Sequence, residues 1–196
     1  MGIWGYLAIL IGLWYLVKFL WPPAKRKNIL VVLGSGGHTT EMTTYLKKLD
    51  FSLVENVDFI CAEDDKVSKE KFRLHFLNRG RLYEIFRSRK VGQSYISSVF
   101  TTLYSFIPAI FLVLKLRPDL IVTNGPGTAL PVCYSGFILR LLRISRTKIV
   151  FIESFCRVRT LSLAGRLIYP ITEQFYVQWE YLQRDNPKCR YIGLLV

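Results

Sequence analysis

Histidine is nearly missing from this chain. Of 196 residues only His38 and His75 carry an imidazole, which argues against a metal centre built on that ligand. Cysteine is scarce and scattered: Cys61, Cys133, Cys156 and Cys189 form no CxxC pair, and the first three sit in apolar surroundings. Neither a zinc site nor a disulfide framework is indicated, and a reducing compartment fits. There is no DxD sequence, and Asp64-Asp65 reads as a loop. Internal repeats are absent, as is low-complexity sequence beyond one short linker. Acidic residues are few, 14 against 27 lysines and arginines, for a formal net charge of +13. That excess suits nucleic acid, a phospholipid surface or a phosphorylated substrate. Apolar residues are plentiful instead: at 51% hydrophobic, the chain can bury a sizeable core and is not disordered.

The longest apolar stretch comes first. Ile3 to Trp21, "IWGYLAILIGLWYLVKFLW", is interrupted only by Lys18, and roughly 20 such residues span the hydrocarbon core as a helix. Trp4, Tyr6, Trp14, Tyr15 and Trp21 include interfacial anchors at both ends, and Lys18 is close enough to one end to snorkel. A signal peptide would begin with basic residues and finish at small ones, and neither holds here. The myristoylation pattern fails at Tyr6. Pro22-Pro23-Ala24-Lys25-Arg26-Lys27 follows, and its cations predict that the rest of the chain faces the cytosol. The expected organisation is a single-pass anchor over residues 1–21, a basic linker over 22–28 and one domain over 29–196, with a buried or interfacial helix as the competing reading of the first segment. Behind an anchor, the basic surface suits anionic lipid or lipid-linked phosphate better than nucleic acid. No RRM, zinc-finger or recognition-helix pattern points the other way.

Beyond the linker, short apolar strands alternate with helices. Strands are predicted at Ile29–Leu33, Val57–Ala62, Leu82–Ile85, Leu120–Thr123, Ile149–Ile152 and Phe175–Val177. Helices are predicted at Thr40–Leu49, Lys66–Phe76, Ser97–Leu116, Thr128–Leu142 and Leu161–Ile171. Such alternation predicts a doubly wound α/β domain around a parallel sheet. The Ser97–Leu116 helix is apolar around most of its circumference, which suggests contact with a membrane interface. Pro108 within it and Asp119 after it oppose a second span. Two basic clusters, Arg79 to Lys90 and Arg140 to Lys148, are the residues that would meet anionic headgroups.

Three turns follow predicted strands at one sheet edge, where open α/β sheets bind ligands. The first is Gly34-Ser35-Gly36-Gly37-His38-Thr39-Thr40-Glu41. Thr39 stands where a dinucleotide fingerprint needs its third glycine, and no Gly-Lys-Ser/Thr follows to make a Walker loop. What remains is a turn with little side chain, open to an anion at a helix N-terminus. His38 at its end is a candidate general base or phosphate partner, or a solvated cap. The second turn, Asn124-Gly125-Pro126-Gly127-Thr128, also leads into a helix. The third, Glu153-Ser154-Phe155-Cys156-Arg157, brings a carboxylate and a guanidinium, either to contact substrate or to pair with each other.

The motifs "GSGGHTTEM", "NGPGTALP", "ESFCRVRTLS" and "FYVQWEYL", in that order behind one apolar helix, resemble a family of membrane-anchor subunits. These belong to the two-chain UDP-N-acetylglucosamine transferases of the dolichol-linked oligosaccharide pathway, and the resemblance runs from about Ile29 to Val196. It implies the Rossmann-like N-terminal half of a GT-B glycosyltransferase, similar to the bacterial transferase that adds N-acetylglucosamine to a peptidoglycan lipid precursor. It implies a soluble catalytic partner subunit that binds the UDP-N-acetylglucosamine donor, no other cofactor and no metal. It also implies the cytosolic face of the endoplasmic reticulum membrane and a dolichyl-diphosphate-linked acceptor, with no nucleic acid. On this reading His38, then Glu41, then Glu153 are the candidate bases for an inverting displacement. Gly34, Ser35, Gly36 and Gly37 admit the acceptor diphosphate, Asn124, Gly125 and Gly127 form the opposite wall, and Arg157 pairs with diphosphate charge. Arg159 occupies a place where related chains lead us to expect an acid, which weighs against a carboxylate role there. The apolar end "RYIGLLV" suggests docking into the partner or a terminal strand. A membrane-bound nucleotide-dependent oxidoreductase, a structural anchor without chemistry and a lipid-surface module are the competing readings.

Overall fold

The computed structural model describes residues 28–51, 54–89 and 92–195, together with residues 6 and 11–13, which are helical. Most of the expected anchor and of the linker lies outside the described residues. Asn28, placed at the end of the expected linker, already begins the first strand, and its N–H donates to Asp119 Oδ2 at 2.9 Å.

Seven strands form one sheet: β1 Asn28–Val32, β2 Asn56–Ala62, β3 Leu82–Ile85, β4 Leu120–Thr123, β5 Lys148–Ile152, β6 Gln174–Val177 and β7 Cys189–Tyr191. Their order is β3-β2-β1-β4-β5-β6-β7, and every neighbouring pair is parallel. The connecting helices are α1 Gly37–Lys47, α2 Lys66–Phe76, α3 Tyr95–Leu116, α4 Ala129–Leu141, α5 Leu163–Ile168 with the 3-10 turn Tyr169–Ile171, and α6 Glu180–Asp185.

The run from Ile29 to Leu33 shows why the sequence of strand β1 is apolar after Asn28. Ile29, Val31 and Leu33 pack with Met42 of α1 and Phe72 of α2 on one face, while Leu30 and Val32 pack with Val113 of α3 and Val132 of α4 on the other. Alternate residues serve opposite layers, so neither set can be polar. Strand β7 takes in Arg190 and Tyr191, the start of the chain end for which a terminal strand is one of the two readings, and extends the sheet at its β6 edge; helix α6 before it is absent from the predicted elements.

Helix α3 begins at Ser94, whose side chain accepts from the Ser97 N–H at 3.2 Å. It ends at Arg117, which takes a left-handed conformation (φ 46°) and closes the last turn onto the Val113 carbonyl at 2.8 Å. Its inner face is narrow: Ser98, Ser105, Ala109 and Val113 are buried. Its outer face exposes Ile96, Val99, Phe100, Leu103, Tyr104, Ile107 and Phe111. That i, i+3/i+4 stripe is the reverse of what water selects for an outer face. Among the described residues, this is the helix long and apolar enough to cross a membrane.

Candidate functional site

The sheet order reverses direction between β1 and β4, and ligands of open α/β sheets lie outside the carboxyl ends of the strands at that point. A cavity of about 860 Å³ opens there. Gly34, Ser35, Gly37, His38 and Glu41 line it from the β1–α1 side, Gly125 and Gly127 from the loop after β4, and Glu153 and Arg157 from the loop after β5. The three sequence turns therefore meet in one place. Gly36 and Asn124 are not part of the lining.

The two glycine turns are packed onto each other. A Cβ on Gly34 would lie 2.2 Å from Pro126 Cβ, so glycine at this point sets how close the loops come. Asn124 is fully buried behind the wall, and its side-chain amide donates to the His38 carbonyl at 2.7 Å. Asn124 thus holds the turn from behind rather than facing the cavity. At Gly36 φ is 69°, a left-handed conformation that lets the chain enter α1 one residue later. The helix begins at Gly37, three residues earlier than predicted, because Thr39 bonds back to the Gly34 carbonyl and to Ser68 Oγ. Asp65 in turn accepts from the Ser68 hydroxyl at 2.6 Å, so α2 braces the same turn. No side chain caps α1; the Thr39 N–H is taken by the Gly34 carbonyl, and the turn ahead of it at Gly37 is the part of this helix N-terminus suited to an anion.

His38 sits in the first turn of α1, half-buried. Burial holds its imidazole below the ordinary range, and the Arg157 charge pushes it the same way. Glu41 and a backbone hydrogen bond at Asn124 act in the opposite sense. The net effect is a neutral ring at physiological pH. Its Nδ1 is buried and has no hydrogen-bond partner, nor have Asn124 Oδ1 and Thr128 Oγ1 nearby. Buried polar atoms in native proteins are normally paired, so the unpaired His38 Nδ1 and Thr128 Oγ1, both on residues that line the cavity, suit a polar ligand.

Glu41, one helical turn on, is nearly buried, and both its oxygens are held: one by the Tyr45 hydroxyl at 3.0 Å, the other by the Ser154 hydroxyl at 2.6 Å. Burial raises the Tyr45 phenol well above its usual range and the Glu41 charge adds to this, so the phenol stays protonated and donates. Glu153 is also fully buried, but its partners are not Arg157. It accepts from the Ser154 N–H at 3.2 Å and from the Ser162 N–H and hydroxyl at 2.8 and 3.1 Å. Burial raises the Glu153 carboxyl, and these hydrogen bonds offset part of the shift. Ser162 caps α5 by accepting from the Gly165 N–H at 2.9 Å. A Cβ on Gly165 would come within 2.5 Å of Glu153 Oε2. Glu153 therefore clamps the loop after β5 onto α5.

Two cations in the lining, Arg87 and Arg89, belong to the first basic cluster of the sequence, expected to face headgroups. The structure divides that cluster. Arg87 and Arg89 follow β3 and so reach the cavity, whereas Arg79 and Arg81 precede β3 at the opposite sheet edge; Lys90 lies outside the described residues. Arg87 Nε pairs with Asp64 at 2.6 Å. The signal was available, since every loop after a parallel strand ends at this edge. The second cluster also stays away from the cavity: Lys148 begins β5, and Arg140 pairs with Glu173. On its far side the cavity turns apolar, with Val99 and Leu103 of α3, Leu130 of α4, and Leu163 and Leu167 of α5. Polar loops thus give way to the exposed stripe of α3 without a break.

The fold has solved counterparts. MurG from Acinetobacter baumannii superposes with a TM-score of 0.59 at 16% identity, covering 80% of this chain and 43% of MurG. The chain thus spans less than half of that protein, consistent with one Rossmann-like half of a GT-B architecture. In sequence, the UDP-N-acetylglucosamine transferase subunit ALG14 of Mus musculus is 40% identical over 186 residues, covering 89% of this chain and 85% of its own. The subunit of the same name from Candida albicans is 40% identical over 202 residues, covering 97% and 92%. Residues 29–195 match the family described as "Oligosaccharide biosynthesis protein Alg14 like". The chain belongs to that family.

Proposed function

We propose that this chain is the membrane-anchoring, acceptor-binding subunit of a two-chain inverting UDP-N-acetylglucosamine transferase. It recruits a soluble donor-binding subunit to the cytosolic face of the endoplasmic reticulum. Together they add the second N-acetylglucosamine to dolichyl-diphosphate-N-acetylglucosamine, and neither a metal nor a further cofactor is required. One observation carries the reading: the cavity at the β1/β4 crevice is anion-friendly at its loops and apolar toward α3. A lipid diphosphate has that same division. Moving one large apolar side chain from water into hydrocarbon contributes ~1.5–3 kcal/mol, so the α3 stripe favours lying against a bilayer, beside which a lipid-linked acceptor would enter the cavity.

His38, neutral and with a free buried nitrogen, has the character needed to take the acceptor hydroxyl proton. Gly37 and the N-terminus of α1 suit the diphosphate, with Arg87, Arg89 and Arg157 supplying positive charge. The chain end beyond Arg190 exposes Tyr191, Ile192 and Leu194 beside the sheet edge at β7, which suits docking of the partner. The deciding experiment is His38→Ala in the reconstituted pair. Partner binding kept with transfer lost by at least ~100-fold places His38 in the chemistry or in acceptor positioning. Binding and transfer both kept makes this chain a scaffold and moves the base to the partner.

A further inference from the structure

The "FYVQWEYL" motif takes in the last three residues of β6 and the residue after it, Gln178, which does not line the cavity. Gln178 is 1% exposed, and its side-chain amide is fully engaged in a way that joins three distant parts of the chain. Its Oε1 accepts from the N–H of Leu195 in the tail at 2.8 Å. Its Nε2 donates to the Tyr45 hydroxyl at 2.8 Å and to the Glu153 carbonyl at 3.0 Å. Tyr45 then donates to Glu41. A continuous buried path therefore runs from the tail backbone through Gln178 and Tyr45 to the carboxylate beside His38. Burying an amide here in place of an apolar side chain is costly unless every polar atom is paired. The pairing takes in the tail itself.

The tail is held lightly. Leu195 packs against the α1 side of the sheet, and Lys48 Nζ donates to its carbonyl at 2.6 Å. Ile192 and Leu194 face outward. Whatever grips those outward side chains also sets where the Leu195 N–H lies.

We propose that Gln178 and Tyr45 are positioning residues, coupling the seating of the tail on the partner subunit to the orientation of Glu41 in the cleft. This rests on the reading of the tail as a docking segment. Partner binding fixes the tail, the tail fixes the Gln178 amide, and the amide fixes the Tyr45 hydroxyl that orients Glu41. The hydroxyl makes no contact with the partner and none with substrate. It acts through Glu41.

The test uses this chain with its soluble partner in detergent, assayed with UDP-N-acetylglucosamine and the dolichyl-diphosphate-N-acetylglucosamine acceptor. Tyr45→Phe removes the hydroxyl inside the path, and Leu195→Pro removes the single N–H that enters it. Each variant is expected to bind the partner as wild type does, with KM for both substrates unchanged and kcat about tenfold lower, the order of one lost hydrogen bond. The double variant is expected to fall no further than either single one, because both interrupt the same path. An unchanged kcat in Tyr45→Phe overturns the proposal, as do losses that multiply in the double variant. A Leu195→Pro variant that loses the partner supports docking by the tail but overturns the coupling if Tyr45→Phe keeps full kcat. A wild-type pair that neither assembles nor transfers overturns the underlying reading, and the coupling with it.

Discussion

Gly34 and Gly37 stand three residues apart in one turn, yet the structure assigns them different costs. At Gly34 an added methyl would lie 2.2 Å from Pro126 Cβ and 2.8 Å from Pro126 Cγ. Carbon contacts settle near ~3.5–4 Å, so Gly34→Ala must push the two loops apart by more than an ångström. The proline ring is rigid and cannot swing aside. Overpacking of this kind costs about 1–3 kcal/mol, and in a domain of this size each kcal/mol lowers the midpoint by about 2–4 °C. At Gly37 the added methyl would meet nothing within 4 Å, and φ is not positive. Alanine in place of glycine at a compatible position stabilises by about 0.4–1 kcal/mol. Gly37 lines the cavity, however, so the same methyl stands where an anion would approach the first turn of α1. Gly34→Ala should therefore lower both the unfolding midpoint and transfer. Gly37→Ala should raise the midpoint slightly while transfer falls, by up to about 100-fold if the acceptor is displaced by an ångström. The assay is thermal unfolding of each variant in detergent, paired with initial rates in the reconstituted complex. Full transfer by Gly37→Ala would refute backbone recognition at this turn. A midpoint unchanged in Gly34→Ala would refute the tight packing of the loops.

Three further outcomes follow from the geometry. His38 must be unprotonated to act as a base, and burial holds it below the usual imidazole range; the acid limb of kcat should thus fall below pH ~6.5, and the limb should vanish in His38→Ala if that imidazole is its source. Replacing Glu153 by Ala leaves the half-buried Ser162 N–H without its acceptor and should cost about 1–3 kcal/mol, read as a lower unfolding midpoint, with faster proteolysis at residues 154–162. Phe100→Asp with Leu103→Asp, both on the exposed face of α3, should weaken flotation of residues 28–196 with anionic vesicles and move the unfolding midpoint by no more than about 2–4 °C, since surface changes of this kind lie within about ±0.5 kcal/mol each; equal flotation would show that α3 does not meet the bilayer.

The architecture was legible because a doubly covered parallel sheet leaves a strong trace: short apolar runs separated by helices. Leu82–Ile85, Leu120–Thr123 and Lys66–Phe76 agree with the sequence reading residue for residue. The start of α1 was not legible, since three consecutive turn-forming residues carry no propensity for helix. Thr39 brings them into it through bonds to Gly34 and to Ser68, a residue 29 positions away. Strand β7 was hidden for a related reason. It has three residues, only Cys189 is buried, and its place depends on β6 being there to pair with.

The same distinction separates the parts of the site. Residues exposed to a ligand sit in turns, and turns announce themselves through glycine, asparagine and an isolated histidine. Residues that hold those turns announce nothing. Glu153 reads in sequence as a substrate contact or a partner of Arg157, but in the fold its Oε2 turns to Ser162, nine residues on, where a helix needs a fixed start. Tyr45 reads as one more apolar position on α1, and Gln178 as a polar interruption at the end of a strand. Their shared function exists only after β6, α1 and the tail converge, which takes sequence separations of 133 and 17 residues to bring about. Local spacing carries information about groups that act where they stand. A group that acts by holding another is specified by the topology, and it becomes visible when each buried polar atom is asked which partner satisfies it.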